Sequence, residues 1–277
     1  MNIRKFFGIC AITSSMALVG CTEDKPAVQA IAPASPNANT IKVGVMSGPE
    51  YLVAQTAATV AKEKYDLTVE YVQFNDYALP NAALAKGEID ANVMQHKAYL
   101  NKDTKSKNLD NLVAVGNTFV YPLAGYSKTI TNVSELADGA TVAIPNDPTN
   151  ELRALILLEK QGLITIRDDS GDSAVSIDIT SNPKNLNIKR VDTSVAARAL
   201  DDVDLAVVNN TYAGQIGLSA TDSIFIEGKD SPYVNLIVAR TDNKDSQDIQ
   251  NFVKAYQSDE VEAEAKRQFQ DGVVKGW

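Results

Sequence analysis

The sequence is poor in the side chains that metal sites and covalent catalysis require, with one histidine, two cysteines and one tryptophan among its 277 residues. Zinc sites in proteins are built mainly from clustered cysteine and histidine side chains, and a serine or cysteine nucleophile needs a neighbouring base. The chain contains no Gly-x-Ser-x-Gly elbow, no Gly-x-x-x-x-Gly-Lys phosphate loop and no His-Glu-x-x-His zinc helix. These absences predict a protein that is not an enzyme and that uses neither a cofactor nor a bound metal.

The chain also lacks an apolar run long enough to cross a membrane. After Arg4 and Lys5, the fourteen residues at 6–19 carry no charge, whereas a membrane-spanning helix needs about 20 apolar residues. A short basic start followed by such a run is the layout of a secretory signal peptide. The run leads into Leu-Val-Gly-Cys at 18–21, which resembles the lipobox of bacterial lipoproteins. This resemblance implies cleavage before Cys21 and attachment of lipid, such as palmitate, to its thiol; an ordinary signal peptide with an incidental cysteine is the alternative.

Basic side chains are too few to balance the acidic ones. The sequence has 26 lysines and arginines against 35 aspartates and glutamates, and removal of Arg4 and Lys5 with the signal peptide leaves 24 against 35, a net charge of −11. So acidic a chain is repelled by nucleic acid and by anionic membranes, which predicts no nucleic-acid partner and contact with a membrane only through lipid. Cys10 also leaves with the signal peptide, so the mature chain has no second cysteine for an internal disulfide.

The composition divides the chain into three parts. Residues 1–20 are the predicted signal peptide, and residues 21–40 are the lipidated cysteine with a flexible linker, since they mix alanine, proline, asparagine and serine without periodicity. From residue 41 onward, β-branched runs alternate with segments of helical period. The predicted strands lie at 40–46, 67–74, 89–94, 140–144 and 205–208, and the predicted helices at 50–65, 79–86, 151–161 and 245–269.

This alternation of strands and helices favours an α/β fold with parallel sheets that are covered by helices on both faces. About 237 residues follow the linker, which suits two domains better than one. A cleft between two such domains is a preferred place for a small ligand.

Polar side chains follow four of the predicted strands, and ligands of α/β sheets bind beyond the carboxyl ends of strands. They include Tyr77, then His96 with Tyr99, then the segment 145–153, and finally Asn209. Taken one at a time, the histidine and the tyrosines are more typical of ordinary packing, and the asparagine of a turn or a helix cap.

Arg153 is the strongest single candidate for a binding residue. If Asn150 caps the following helix, Arg153 lies in the first turn, where a cation opposes the helix dipole. Free backbone N–H groups beside a guanidinium form a good carboxylate or phosphate site. A surface ion pair with Asp147 or Glu151 explains the arginine equally well.

Several segments, read together, resemble the NlpA/MetQ family of methionine-binding lipoproteins, and they run in order from residue 40 to residue 277. They are Phe74-Asn75-Asp76-Tyr77, Gln95-His96-Lys97, Pro145-Asn146-Asp147-Pro148-Thr149-Asn150, Val274-Lys275-Gly276-Trp277 and the segments 114–122, 231–238 and 255–261. The resemblance implies a periplasmic-binding-protein fold, in which two α/β domains enclose a ligand cleft and are joined by two crossover segments. Domain 1 is expected at 41–121 and 240–277, and domain 2, including the hinge segments, at 122–239.

The resemblance implies a lipid-anchored binding protein on a bacterial membrane that faces the periplasm or the cell exterior. A monomer is the default expectation. It would capture methionine, with L-methionine as the first expectation, and deliver it to the permease and ATPase of an ABC importer. D-methionine, a methionine derivative and a short peptide are the alternative ligands. A repurposed surface lipoprotein or adhesin is the alternative function.

The resemblance also assigns roles to residues. Arg153 is expected to hold the ligand's carboxylate, and Asn209 and Asn235 to complete the recognition of its carboxylate and ammonium groups. The side chains expected to wall the pocket around the thioether are Tyr77, His96, Tyr99 and Met94.

The chain departs from the family pattern at two of these places. Met94 stands where the family commonly has an aromatic residue, in Val93-Met94-Gln95-His96 instead of Ala-Phe-Gln-His. The helix start at 150–153 reads Asn-Glu-Leu-Arg, where Asn-Leu-Gly-Arg is expected. Met94 is expected to reshape the pocket while tolerating sulfur, and the change at the helix start keeps the spacing to Arg153 but makes its surroundings bulkier.

Overall fold

The structure is a computed structural model that describes residues 39–168, 177–270 and 272–277. The predicted signal peptide, the lipidation site Cys21 and nearly all of the predicted linker lie outside the described residues. None of the helices in the described ranges combines the length and apolarity that a membrane crossing needs.

Strands and helices alternate along the chain, with thirteen strands and seven α-helices in the described ranges. The strands are β1 (Thr40–Met46), β2 (Thr68–Phe74), β3 (Ala91–His96), β4 (Leu112–Val120), β5 (Ala124–Tyr126), β6 (Thr141–Pro145), β7 (Thr165–Asp168), β8 (Ile177–Ser181), β9 (Asn187–Val191), β10 (Leu205–Val208), β11 (Phe225–Ile226), β12 (Val234–Arg240) and β13 (Val274–Lys275). The helices are α1 (Pro49–Tyr65), α2 (Pro80–Ala85), α3 (Lys97–Lys107), α4 (Pro148–Lys160), α5 (Asn210–Gln215), α6 (Gln247–Tyr256) and α7 (Asp259–Phe269). Short 3₁₀ turns occur at Val133–Glu135, Thr193–Val195, Arg198–Asp201 and Ala220–Asp222.

The first sheet has the strand order β13-β4-β12-β3-β1-β2. Its strands β2 and β3 pair in parallel with β1, whereas β12 pairs antiparallel with both β3 and β4. Helices α1, α6 and α7 pack together beside this sheet. Their apolar faces form one core with it, which includes Val45, Ala57, Ile237, Phe252 and Tyr256. We call this sheet with its helices α1, α2, α3, α6 and α7 the first lobe.

The second sheet has the strand order β11-β5-β10-β6-β9, and β7 and β8 form a separate two-stranded ribbon. Strand β6 is parallel to β9 and β10, whereas β5 is antiparallel to β10 and β11. Helix α4 packs on this sheet through Leu155 and Leu158, which lie in a core with Val142, Val207 and Phe225. We call this sheet with β7, β8, α4 and α5 the second lobe.

The chain passes between the two sheets twice. It leaves the first sheet after Val120 and enters the second at Ala124, and it leaves the second after Ile226 and re-enters the first at Val234. We call the segments 121–123 and 227–233 the first and second crossovers. The second crossover therefore ends at β12, a few residues before residue 240, where domain 1 is predicted to resume. The domain bounds remain a prediction.

The expectation of purely parallel sheets is wrong for both sheets, since each contains antiparallel pairs. The reason lies in the connections. A parallel pair needs a long crossover, usually a helix, whereas β5 and β12 are reached directly from the other lobe and enter their sheet in the opposite direction. The predicted helix at 245–269 is also two helices. Ser258 is extended and accepts a hydrogen bond from the N–H of Val261, so it ends one helical segment and caps the next.

Helix α1 shows how the local sequence sets the bounds of an element. Gly48 has a φ of +94°, which glycine tolerates, and Pro49 follows at the first helical position, where its missing N–H breaks no helical hydrogen bond. Asp66 ends the helix in the left-handed conformation, with its N–H bonded to the carbonyl of Lys62 at 3.1 Å. The helix buries Val53, among other apolar side chains, against the first sheet.

Candidate ligand-binding site

A cavity lies where the carboxyl ends of β3 and β10 meet the first turns of α4 and α5, so that both lobes line it. About 320 Å³ between its walls is not filled by protein atoms, and this figure includes space that is open to solvent. The seven residues that the sequence predicts for the site all line it: Tyr77, Met94, His96, Tyr99, Arg153, Asn209 and Asn235. Their roles toward a ligand stay a prediction. The sequence reasoning missed five further lining residues, Gln95, Tyr121, Asn150, Asn210 and Thr211.

Arg153 reaches the cavity from the second turn of α4. The helix is capped by Asp147 and begins with Pro148, so the expectation that Asn150 caps it is wrong. A proline after an aspartate marks the first helical position, and that signal was present in the sequence. Arg153 therefore lies beyond the first turn of α4, where the free backbone N–H groups and the positive end of the helix dipole are.

The guanidinium of Arg153 is paired with Glu227, which lies in the second crossover. Arg153 Nε donates to Glu227 Oε1 at 2.7 Å, and its Nη2 donates to Glu227 Oε2 and, at 2.9 Å, to the carbonyl of Tyr121. Both side chains are buried, with 3% of the arginine and 9% of the glutamate exposed. The ring of Tyr233 covers the guanidinium, with Cζ at 4.4 Å from the ring centroid. Within the described residues, Nη1 keeps both of its N–H groups without a protein acceptor, and a carboxylate can take them.

The predicted alternative for Arg153, a surface ion pair with Asp147 or Glu151, is wrong. Glu151 pairs with Arg190 at 2.7 Å on the exterior, and Asp147 accepts hydrogen bonds from neighbouring polar groups instead. The true partner, Glu227, lies 74 residues away along the chain, and no spacing rule connects them.

His96 is the last residue of β3 and the cap of α3. Its Nδ1 accepts the N–H of Tyr99 at 3.2 Å, so the proton of the neutral ring sits on Nε2, which lies 3.5 Å from Asn150 Oδ1. Burial, together with the positive charge of Arg153, lowers the pKa of His96 to about 3. The ring is therefore uncharged at neutral pH, and it packs against Tyr233 with centroids 5.0 Å apart.

Three polar residues of the second lobe form a chain that ends at the cavity. Asn150 Nδ2 donates to both carboxylate oxygens of Asp147, at 3.0 and 2.9 Å, and Asn150 Oδ1 accepts from Asn209 Nδ2 at 2.9 Å. The remaining end of the chain, Asn209 Oδ1, is buried and has no hydrogen-bond partner among the described residues. A buried polar atom of this kind carries a desolvation cost that a ligand's donor group would remove.

The opposite wall of the cavity is aromatic and apolar. The ring of Tyr77 lies 5.8 Å from that of Tyr99 and 5.1 Å from that of Tyr212, measured between centroids. The hydroxyl of Tyr99 donates to the carbonyl of Tyr77 at 3.0 Å, which fixes the pair. Met94 is buried in the same apolar cluster. Aromatic faces and a thioether are suited to polarizable sulfur.

A buried carboxyl group joins the lobes behind this wall. Tyr77 donates through its hydroxyl to Thr211 Oγ1 at 3.0 Å, and Thr211 donates in turn to Glu50 Oε1. Burial raises the pKa of Glu50 to about 8, although the hydrogen bond from Thr211 opposes the shift. Sequence reasoning missed Glu50 because an acidic residue in the first turn of a helix is usually solvated. The described residues contain no cluster of three His, Cys, Asp or Glu side chains that could hold a metal ion.

Comparison with known proteins gives consistent results. The family model described as NlpA lipoprotein matches residues 41–277. A protein of Haemophilus influenzae named probable D-methionine-binding lipoprotein MetQ is 65% identical over 278 residues, with 100% of both chains covered.

Two solved structures share the fold. A nutrient-binding protein from Burkholderia cenocepacia, bound to methionine, is 43% identical with a TM-score of 0.83, and the match covers 86% of this chain and 100% of that one. An ABC-transporter periplasmic substrate-binding protein from Coxiella burnetii is 41% identical with a TM-score of 0.81, over 85% of this chain and 100% of that one. The predicted fold class, two α/β lobes with a cleft and two crossovers, is thereby confirmed.

Proposed function

The chain belongs to the NlpA lipoprotein family, as its sequence predicts, and from this premise we propose that it captures methionine in its cleft and delivers it to an ABC importer. In this proposal it is a monomeric binding protein and not an enzyme. Its partners are the permease and the ATPase of the importer, to which the bound ligand is handed.

The observation that supports this ligand best is the division of the cavity into three chemistries. Arg153 offers the two N–H groups of Nη1 to a carboxylate, since Nε and Nη2 are bonded to Glu227 and Tyr121. Asn209 offers a buried, unpartnered oxygen for an ammonium group. Tyr77, Tyr99 and Met94 offer an apolar, polarizable wall for a thioether. Methionine is a small molecule that carries all three groups, and Asn235 at the cavity edge would complete the recognition of its polar end.

L-methionine is the enantiomer we propose first. The relative from Haemophilus influenzae is named for D-methionine, so the D enantiomer is the matched competitor in every binding experiment. The two enantiomers present the same carboxylate, ammonium and thioether groups, and they differ only in how these groups are arranged around one carbon.

The chain is proposed to be held at a bacterial membrane by lipid on Cys21, with the globular part facing the periplasm or the cell exterior. Support comes from the Leu-Val-Gly-Cys sequence at 18–21 and from the family name. Growth with labelled palmitate should label the wild-type protein and leave Cys21→Ser unlabelled. Equal labelling of the two would contradict the assignment.

Native mass spectrometry and calorimetry of the purified mature protein in detergent test the ligand. Partial unfolding and refolding first removes any bound molecule, and L-methionine, D-methionine or leucine is then added. We expect a restored mass and a binding heat with methionine, and a much weaker response with leucine, which lacks sulfur. If neither enantiomer of methionine binds, the proposal is wrong.

Two variants of the same residue type sharpen this test. Arg153→Ala removes the carboxylate contact and should weaken methionine binding by roughly 100-fold or more, in line with hydrogen bonds to charged groups. Arg190→Ala removes a half-exposed arginine that pairs with Glu151 outside the cavity, and it should bind methionine as the wild type does. Equal losses in both variants would show that the effect of Arg153→Ala is not local.

A further inference from the structure

The unpartnered oxygen of Asn209 shows which end of this amide is left for a ligand. An amide side chain has a donor end and an acceptor end of nearly the same shape, and the end that faces the cavity decides which ligand group can bind there. Asn209 is 7% exposed and lines the cavity. Its orientation is fixed by hydrogen bonds to Asn150 and, through Asn150, to Asp147.

The chain of hydrogen bonds starts at Asp147. Its carboxylate accepts from the N–H of Asn150 at 3.0 Å, from Thr149 Oγ1 at 3.1 Å and from Thr193 Oγ1 at 2.7 Å. It also accepts twice from the amide group of Asn150. Because every neighbour donates, the carboxylate acts only as an acceptor, and Asn150 must turn its NH₂ group toward it.

The far end of Asn150 is then an oxygen, and two donors converge on it. Asn209 Nδ2 lies at 2.9 Å, and the protonated Nε2 of His96 lies at 3.5 Å. The His96 tautomer is set independently, since its Nδ1 accepts the N–H of Tyr99. This bond turns the NH₂ group of Asn209 toward Asn150 and leaves its oxygen, on the other side of the amide, without a partner among the described residues.

We propose that Asp147 is a positioning residue that determines the ligand class: through Asn150 it turns the oxygen of Asn209 into the cavity and so selects a ligand with an ammonium group beside its carboxylate. This inference rests on the proposed function and deepens it. The site should accept an α-amino acid and discriminate against the α-hydroxy acid of the same shape. A hydroxyl can also donate to the Asn209 oxygen, but the hydrogen bond from a charged ammonium group is roughly twice as strong.

The variant that tests the proposal is Asp147→Asn. Asparagine caps helices about as well as aspartate, so the start of α4 is kept. Its NH₂ group, however, would take the place of a carboxylate oxygen that accepts from Asn150 Nδ2 and Thr193 Oγ1, so the acceptor that holds the orientation of Asn150 is weakened. The oxygen of Asn209 is then held less firmly toward the ligand, which costs a charged ammonium donor more than a neutral hydroxyl.

The measurement is the dissociation constant of L-methionine and of 2-hydroxy-4-(methylthio)butanoate, in which a hydroxyl replaces the ammonium group, by calorimetry on the mature protein in detergent. In the wild type, methionine should bind more tightly than the hydroxy acid by about tenfold or more, because its ammonium group donates a charged hydrogen bond where the hydroxyl donates a neutral one. In Asp147→Asn, methionine should weaken about tenfold or more while the hydroxy acid changes by less than about threefold, as for a lost charged hydrogen bond. Asp204→Asn is the matched control, because its carboxylate caps the N–H of Thr141 in the same lobe, away from the cavity, and its ratio should equal the wild-type ratio.

Asn150→Ala provides the same test without altering the helix cap. It breaks the chain in the middle and should lower the ratio as Asp147→Asn does, and the double variant should add little to either. A loss shared equally by the two ligands would reduce Asp147 to a structural role and overturn the proposal. An unchanged ratio in both variants would overturn it as well. Failure of the wild type to bind methionine would overturn the proposed function and this inference together, whereas normal wild-type binding with an unchanged ratio overturns the inference alone.

Discussion

The two lobes line the cavity with different chemistry. The second lobe contributes only polar side chains, which are Asn150, Arg153, Asn209, Asn210 and Thr211, and one of them is charged. The first lobe contributes mainly tyrosines, a methionine and an uncharged histidine, with Gln95 and Asn235 as its amides. A ligand with a charged end and an apolar end therefore needs both lobes, and neither lobe alone presents a complete site.

The largest effect is expected from breaking the ion pair that supports the polar side. Glu227→Ala leaves the buried Arg153 charge without its partner, and we expect a loss of about 3–5 kcal/mol in the free energy of unfolding, as for other broken buried pairs. Urea denaturation measures it. Glu151→Ala, which removes the partner of the half-exposed Arg190, is the control and should cost less than about 1 kcal/mol. Similar losses in the two variants would mean that the burial of the Arg153 pair has no energetic consequence.

A smaller effect is expected at the contact between the lobes. The Glu50 carboxyl has a pKa of about 8 in the fold against 4.5 ordinarily, so the folded protein holds the proton more tightly and loses stability as the pH rises from about 4.5 to 8. Glu50→Gln cannot ionise and escapes this loss. Between pH 6 and pH 8, its free energy of unfolding should therefore gain about 2 kcal/mol relative to the wild type, at up to about 1.4 kcal/mol per pH unit. Parallel curves for the two proteins in urea denaturation at these pH values would contradict the prediction.

The apolar side should respond more weakly than the polar side. Met94→Ala removes a buried thioether from the wall and should weaken methionine binding about tenfold, since the loss of buried methylene groups costs on the order of 1–2 kcal/mol. Met94→Phe restores an aromatic wall of similar volume and should stay within about threefold of the wild type. Calorimetry with both variants checks the two values. A Met94→Phe variant that binds far more weakly than Met94→Ala would show that the pocket is shaped specifically for methionine at this position.

The smallest expected effect concerns His96, which should not titrate near neutral pH in the folded protein. The pKa of His96 falls to about 3 in the fold, against 6.5 ordinarily, so the fold stabilises the neutral ring, and this contribution is present above pH 6.5 and is lost as the pH falls toward 3. Since the chain has one histidine, its imidazole proton resonance is unambiguous. It should stay constant from pH 8 to pH 5 in the folded protein and titrate near 6.5 in urea. A midpoint near 6 in the folded protein would show that the ring is solvated.

Sequence reasoning performed best where structure is set locally. The predicted strands 40–46 and 205–208 coincide with β1 and β10, and the start of α1 was misplaced by one residue. These bounds follow from β-branched runs, turn residues and a proline, all of which act on their neighbours. The direction of β12 could not be read in this way, because it depends on the lobe from which the chain comes.

In the candidate site, too, the features set by neighbouring residues could be predicted and those set by distant residues could not. The residues that line the cavity could be found because they follow strand ends and match a family pattern, and the structure brings all seven of them together. The carboxylates that hold these lining residues in place could not be predicted. Glu227 acts on a residue 74 positions away and Glu50 on one 161 positions away, and a carboxylate at such a distance leaves no periodicity or spacing in the sequence.

The position of β12 has a consequence for how the molecule is assembled during its synthesis. The second lobe is made from one continuous stretch between Ala124 and Ile226, whereas the sheet of the first lobe is interrupted until β12 inserts between β4 and β3. A nascent chain grows from its amino terminus, and domains generally fold as units. The inner, continuous lobe can therefore be native while the strands that precede it still wait for β12, which begins the last sixth of the chain. A chain that ends between Ile226 and β12 would contain every strand of the second lobe and would lack a central strand of the first sheet.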